Sequence, residues 1–219
     1  MNKKCLIASL IMNLFNFIAV LICSITVLIK GPTFIKMFTV QSNIICGIVG
    51  LIVGIYDLLI LLKKKEELPM WLKITKMVTT TAVALTFFTV VFYLGFVAVA
   101  QGQSYFSLFK DETFIMHFLT PVLAIISFIF FDSGKEINFK FSFLNLIHML
   151  LYTIYYSINI FVHLDNGKVD KKYDWYSFVI GDFWTIGVVF IVIVGITYGT
   201  GFGLWILNKK FNKALNNNA

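Results

Sequence analysis

Apolar positions along this chain gather into six long runs, at about 5–29, 38–62, 74–100, 113–131, 141–163 and 184–207, each close to the ~20 residues with which a helix crosses the hydrocarbon core. Short polar stretches separate them. Inside a bilayer every backbone polar group needs a partner from the chain itself, and within single segments of this length only a helix supplies it. The pattern therefore predicts an all-α polytopic membrane protein. A bundle of six transmembrane helices fills residues 1–208, residues 209–219 form a short tail, and no stretch remains for a separate soluble domain.

Polar residues inside the runs are few enough to take one by one. Span one carries Asn13 and Asn16 on neighbouring turns, a pair expected to hydrogen bond between helices. Span two opens on Phe38-Thr39-Val40-Gln41-Ser42-Asn43, and Thr39, Asn43, Cys46, Gly50 and Gly54 then recur at helical spacing as a small or polar face ending near Asp57. The threonines of span three, from Thr75 to Thr89, are expected to bond back to their own helix. Span four has His117 one turn in, with Pro121 four residues later. A proline clashes with the carbonyl four before it and offers no amide, so a kink that frees the His117 carbonyl is expected. In span five His148, Tyr152, Tyr155 and Asn159 share a face, with His148 read as lying at the far end from His117. The loop that follows holds Trp175-Tyr176-Ser177-Phe178, as an interfacial belt or a cover over a site, and Asp182 opens span six.

Composition agrees with the pattern: 59% of residues are hydrophobic and 13% charged, against about a quarter charged in soluble domains. The net charge of +7 comes from 18 lysines, with no arginine present. Twice as many of them fall in the N-terminus, second loop (Lys73 and Lys76 included), fourth loop and C-terminus as in the other loops, which predicts cytoplasmic termini. The first span is too long for a signal peptide and is expected to be retained. Cys5, Cys23 and Cys46 have neither metal-ligand nor disulfide spacing. There is no zinc-binding His-Glu-x-x-His, no Gly-x-Ser-x-Gly elbow, no phosphate loop and no aromatic-basic surface for nucleic acid, so no cofactor or metal is expected.

With this topology spans two and four run in the same direction, and Thr39 and His117 each lie about one turn, roughly 5 Å, below the outer surface. A hydroxyl with an imidazole at one depth is the pairing that nucleophilic catalysis requires. Asn43 can orient that pair or donate to an oxyanion, Gln41 and Ser42 can do the same, and Ser42 is a rival nucleophile. Tyr155, Asn159, Trp175, Tyr176 and Asp182 are further pocket candidates, Asp182 as the acid behind the histidine.

A threonine opening span two, a histidine opening span four and an external Trp-Tyr-x-Phe segment resemble the androgen-induced and androgen-dependent TFPI-regulating protein family and its bacterial relatives. Ser177 stands where that pattern has proline. The resemblance implies a transmembrane threonine hydrolase of fatty acid esters of hydroxy fatty acids, with Thr39 as nucleophile and His117 as its partner. It further implies a lipid or fatty acyl ester substrate and, for a bacterial relative, the plasma membrane. The reading from another class is a small transporter or lipid-binding membrane protein whose polar pocket does no chemistry.

Overall fold

The computed structural model describes residues 3–132, 136–166, 168–176 and 183–217. Among these residues the six apolar runs are helices and no strand forms: α1 is Lys3–Lys30, α2 Phe38–Leu61, α3 Met70–Ala100, α4 Asp111–Phe130, α5 Phe139–Val162 and α6 Phe183–Asn217. Each contains a stretch long and apolar enough to cross a membrane, so the protein is an all-helical integral membrane protein. The α1–α2 turn is made at Gly31, whose φ of 156° suits glycine, followed by a 3-10 turn over Pro32–Lys36. At the other end Lys63 takes a left-handed conformation (φ 57°) after α2, and Pro69 caps α3. These two turns give names to the two ends of the bundle, the Gly31 end and the Pro69 end.

The small face of α2 packs on α1, as its spacing predicts. A Cβ added at Gly50 would stand 3.2 Å from the Asn13 carbonyl, and one at Gly54 would stand 2.9 Å from the Leu14 side chain. Larger side chains there would push the helices apart. The most buried span is α3 rather than α2, with Met77, Ala82, Val83 and Ala84 each at most 1% exposed. Its threonines bond back as expected, Thr81 to the Met77 carbonyl at 2.9 Å and Thr86 to that of Val83 at 2.7 Å. Near the Pro69 end α6 closes on α3, α4 and the start of α5. There Gly201 leaves room for Asn145, Asn208 donates to the Phe128 carbonyl at 2.6 Å, and Trp205 donates to that of Ile137 at 2.8 Å.

Two expectations need correction. Because α3 begins at Met70, about a turn earlier than the apolar run, Lys73 and Lys76 are not loop residues: they lie inside the bundle, 1% and 4% exposed. Both face Asp132, and an apolar pattern has no means of registering two cations that are paired across helices. The lysine asymmetry is smaller without them but keeps its sign. His148 is also displaced from its expected place. The first eight residues of α5 are 3-10 helix, which climbs ~2.0 Å per residue instead of ~1.5 Å, and this carries His148 up to the ring of Phe38 at a centroid distance of 5.2 Å.

Candidate functional site

At the Gly31 end, α2 starts from an extended Met37 that supplies no side-chain cap, leaving its first amides to find partners elsewhere. The Phe38 amide donates to the Tyr176 hydroxyl at 3.0 Å. Thr39 follows, half-buried, and its hydroxyl makes no hydrogen bond among the described residues. Its carbonyl is taken twice, by the Ser42 hydroxyl at 3.1 Å and by the Asn43 amide at 2.7 Å. Ser42 is fully buried with its hydroxyl turned into its own helix, a poor arrangement for a nucleophile. Gln41 is half-buried on the same turn.

The facing part of α4 contains a π turn over Ile115–Leu119, in which the Thr120 amide reaches back five residues to the Ile115 carbonyl. Pro121 has no amide. The Met116 carbonyl is thereby deprived of both helical donors that could have reached it, Thr120 and Pro121. Asn43 fills the vacancy by donating to it at 3.1 Å. The π turn and the proline together thus free the Met116 carbonyl. Around this bridge Met116 packs with Val40, Cys23 and Val27.

Asn43 thus spans from the Thr39 carbonyl to the residue before His117, and fixes the starts of α2 and α4 side by side. The Thr39 and Met116 carbonyls are held by one side chain, and no hydrogen bond joins the side chains of Thr39 and His117. His117 is half-buried on the π turn, and its Nδ1, shielded from solvent, has no partner among the described residues. Both N–H groups of Asn43 are spent on carbonyls, which makes it a positioning residue and removes it as an oxyanion donor. Its Oδ1 is a buried acceptor with no partner.

The segment before α6 folds over this mouth. Trp175 donates through Nε1 to the Tyr152 hydroxyl at 3.0 Å, which in turn donates to the Lys36 carbonyl at 2.9 Å. The Lys36 ammonium lies 4.4 Å from the centre of the Trp175 ring. Asn159 donates to the Tyr173 carbonyl at 2.7 Å, Tyr156 donates to Asp174, and Tyr155 stands exposed beside Trp175 with centroids 6.2 Å apart. An interfacial belt points its polar atoms at headgroups; here those of Trp175 and Tyr176 turn inward, as in a cover. Burial raises the Tyr176 phenol above its ordinary pKa, so it remains a neutral hydroxyl. Tyr152, the hub of this cluster, was visible in the sequence only as one member of the α5 stripe. Asp182 lies outside the described residues.

A second polar centre, of Ser9, Asn13, Asp57, Lys73, Lys76, Ser127 and Asp132, occupies the Pro69 end. No single span marks it, since each helix contributes only one or two members. Among the described residues no group of three or more His, Cys, Asp or Glu side chains is placed to hold a metal ion. Compared with protein-family models, with curated proteins and with solved structures, the chain matches none.

Proposed function

We propose that the protein is an intramembrane lipid ester hydrolase of the fatty acid ester of hydroxy fatty acid type, with Thr39 as nucleophile and His117 as base. The observation that carries this reading is the Asn43 bridge, which ties the Thr39 turn to the π turn bearing His117. The resemblance of the same two positions to the threonine hydrolases supports it, and the lysine asymmetry favours a topology with both termini in the cytoplasm and the site near the outer leaflet.

In the first step the Thr39 hydroxyl oxygen attacks the ester carbonyl carbon while His117 takes its proton. The oxyanion forms beside the first turn of α2, at the positive end of the helix, where the Val40 amide precedes the first helical hydrogen bond and Gln41 is within the same turn. On collapse the leaving alcohol receives the proton from His117 and an acyl-threonine remains. Water then gives a proton to His117 and attacks the acyl carbon. The fatty acid leaves, and the proton returns to the Thr39 oxygen.

Purified protein in vesicles, supplied with a fatty acid ester of a hydroxy fatty acid, tests the reading. Thr39→Ala and His117→Ala are expected to lose hydrolysis while retaining the fold by circular dichroism, and Ser42→Ala to retain hydrolysis. Lipid binding without turnover in the wild type would favour the transporter or lipid-binding reading instead.

A further inference from the structure

The charges at the Pro69 end are arranged with a direction. The Lys76 ammonium donates to the Ser127 hydroxyl at 3.0 Å, Ser127 to the Asn13 side-chain oxygen at 3.2 Å, Asn13 to the Ser9 hydroxyl at 3.1 Å, and Ser9 to Asp57 Oδ2 at 2.6 Å. Every donor points the same way. A polarised chain therefore runs from an ammonium on α3, through α4 and α1, to a carboxylate on α2. All five side chains are at most 4% exposed. The Lys76 ammonium also donates to Asp132 at 3.2 Å, and Lys73 lies 3.9 Å from the other oxygen of Asp132.

The two carboxylates in this network differ in what faces them. Asp132 accepts a hydrogen bond from the Lys76 ammonium at one oxygen and has the Lys73 ammonium 3.9 Å from the other, which accepts no hydrogen bond. Among the described residues Asp57 has no ammonium in contact: it is linked to the charge of Lys76 through three neutral side chains, and its Oδ1 has no partner although the residue is 0% exposed. A bare carboxylate oxygen in a low-dielectric interior is costly, and intramembrane acids in this situation commonly exchange protons. A metal ion fits poorly, because the Ser9 hydroxyl hydrogen is turned toward Asp57 and two ammonium groups already belong to the same network. A proton on Oδ1 needs no further ligand. We propose that Asp57 Oδ1 is a proton-binding site, and that its occupancy switches the Lys73, Lys76, Asp132 and Asp57 quartet between zero and one net positive charge.

This site stands independently of ester hydrolysis at the opposite end of the bundle. Infrared difference spectra of the full-length protein in vesicles, mildly acidic minus neutral, test it. A protonated-carboxyl carbonyl band that shifts in D2O is expected in the wild type, is lost in Asp57→Asn and kept in Asp132→Asn. Should Asp57→Asn fail to fold, Ser9→Ala, which removes only the hydroxyl on Oδ2, is expected to keep the band and move its frequency. No band in the wild type, a band unaltered in Asp57→Asn or Ser9→Ala, or a band suppressed by sodium at constant pH would overturn the assignment.

Discussion

At the scale of single residues, Asn43 has the most to lose. Its two N–H groups satisfy buried carbonyls on two helices, and a buried polar group left without a partner costs about 1–3 kcal/mol. Asn43→Leu strands the Met116 carbonyl, while that of Thr39 keeps the Ser42 hydroxyl, and is expected to lower the thermal midpoint by several degrees and to abolish activity, as followed by differential scanning fluorimetry in detergent and by ester turnover. Ser42→Ala removes one hydrogen bond to a carbonyl that keeps another donor, and its stability should fall by no more than about 0.5–1.5 kcal/mol, the net worth of one hydrogen bond. Thr39, Asn43 and His117 were legible in the sequence because polar side chains in an apolar run need a reason. The role of Asn43 was not legible, since its second acceptor depends on a register shift 73 residues away.

Among the elements, the spans and the α1–α2 packing face follow from hydrophobic length and glycine spacing. The π turns do not. Among the described residues two occur, at Val90–Leu94 and Ile115–Leu119, and in each a side chain takes the carbonyl that the extra residue exposes: the Tyr105 hydroxyl on Val91 at 2.7 Å, and Asn43 on Met116. Periodicity cannot register a single inserted residue when the neighbouring positions are all apolar. Pro121→Ala restores an amide that competes with Asn43 for α4 carbonyls. The variant is expected to fold, with equal or higher thermal stability, and to turn over ester more slowly because His117 rotates away from the Thr39 turn. Unchanged turnover in a stable Pro121→Ala protein would detach the π turn from catalysis.

For the molecule as a whole, the bundle carries two polar centres at opposite ends, joined by tight α1–α2 and α3–α4 packing. The Pro69-end network was invisible in the sequence because Lys73 and Lys76 look like ordinary loop lysines until Asp132 is brought beside them. Removing one partner of a buried ion pair typically costs about 3–5 kcal/mol, so Lys76→Met should destabilise strongly in thermal unfolding. Lys64→Met, on an exposed turn, should not.

The central claim, that α2 presents Thr39 to a base on α4, is tested most directly by trapping the covalent intermediate. Membranes treated with a lipid-like fluorophosphonate should yield one adduct, mapped by peptide mass spectrometry to Thr39, absent from Thr39→Ala and much reduced in His117→Ala. An adduct on Ser42, labelling that survives in both variants, or no adduct on an actively hydrolysing protein would contradict it.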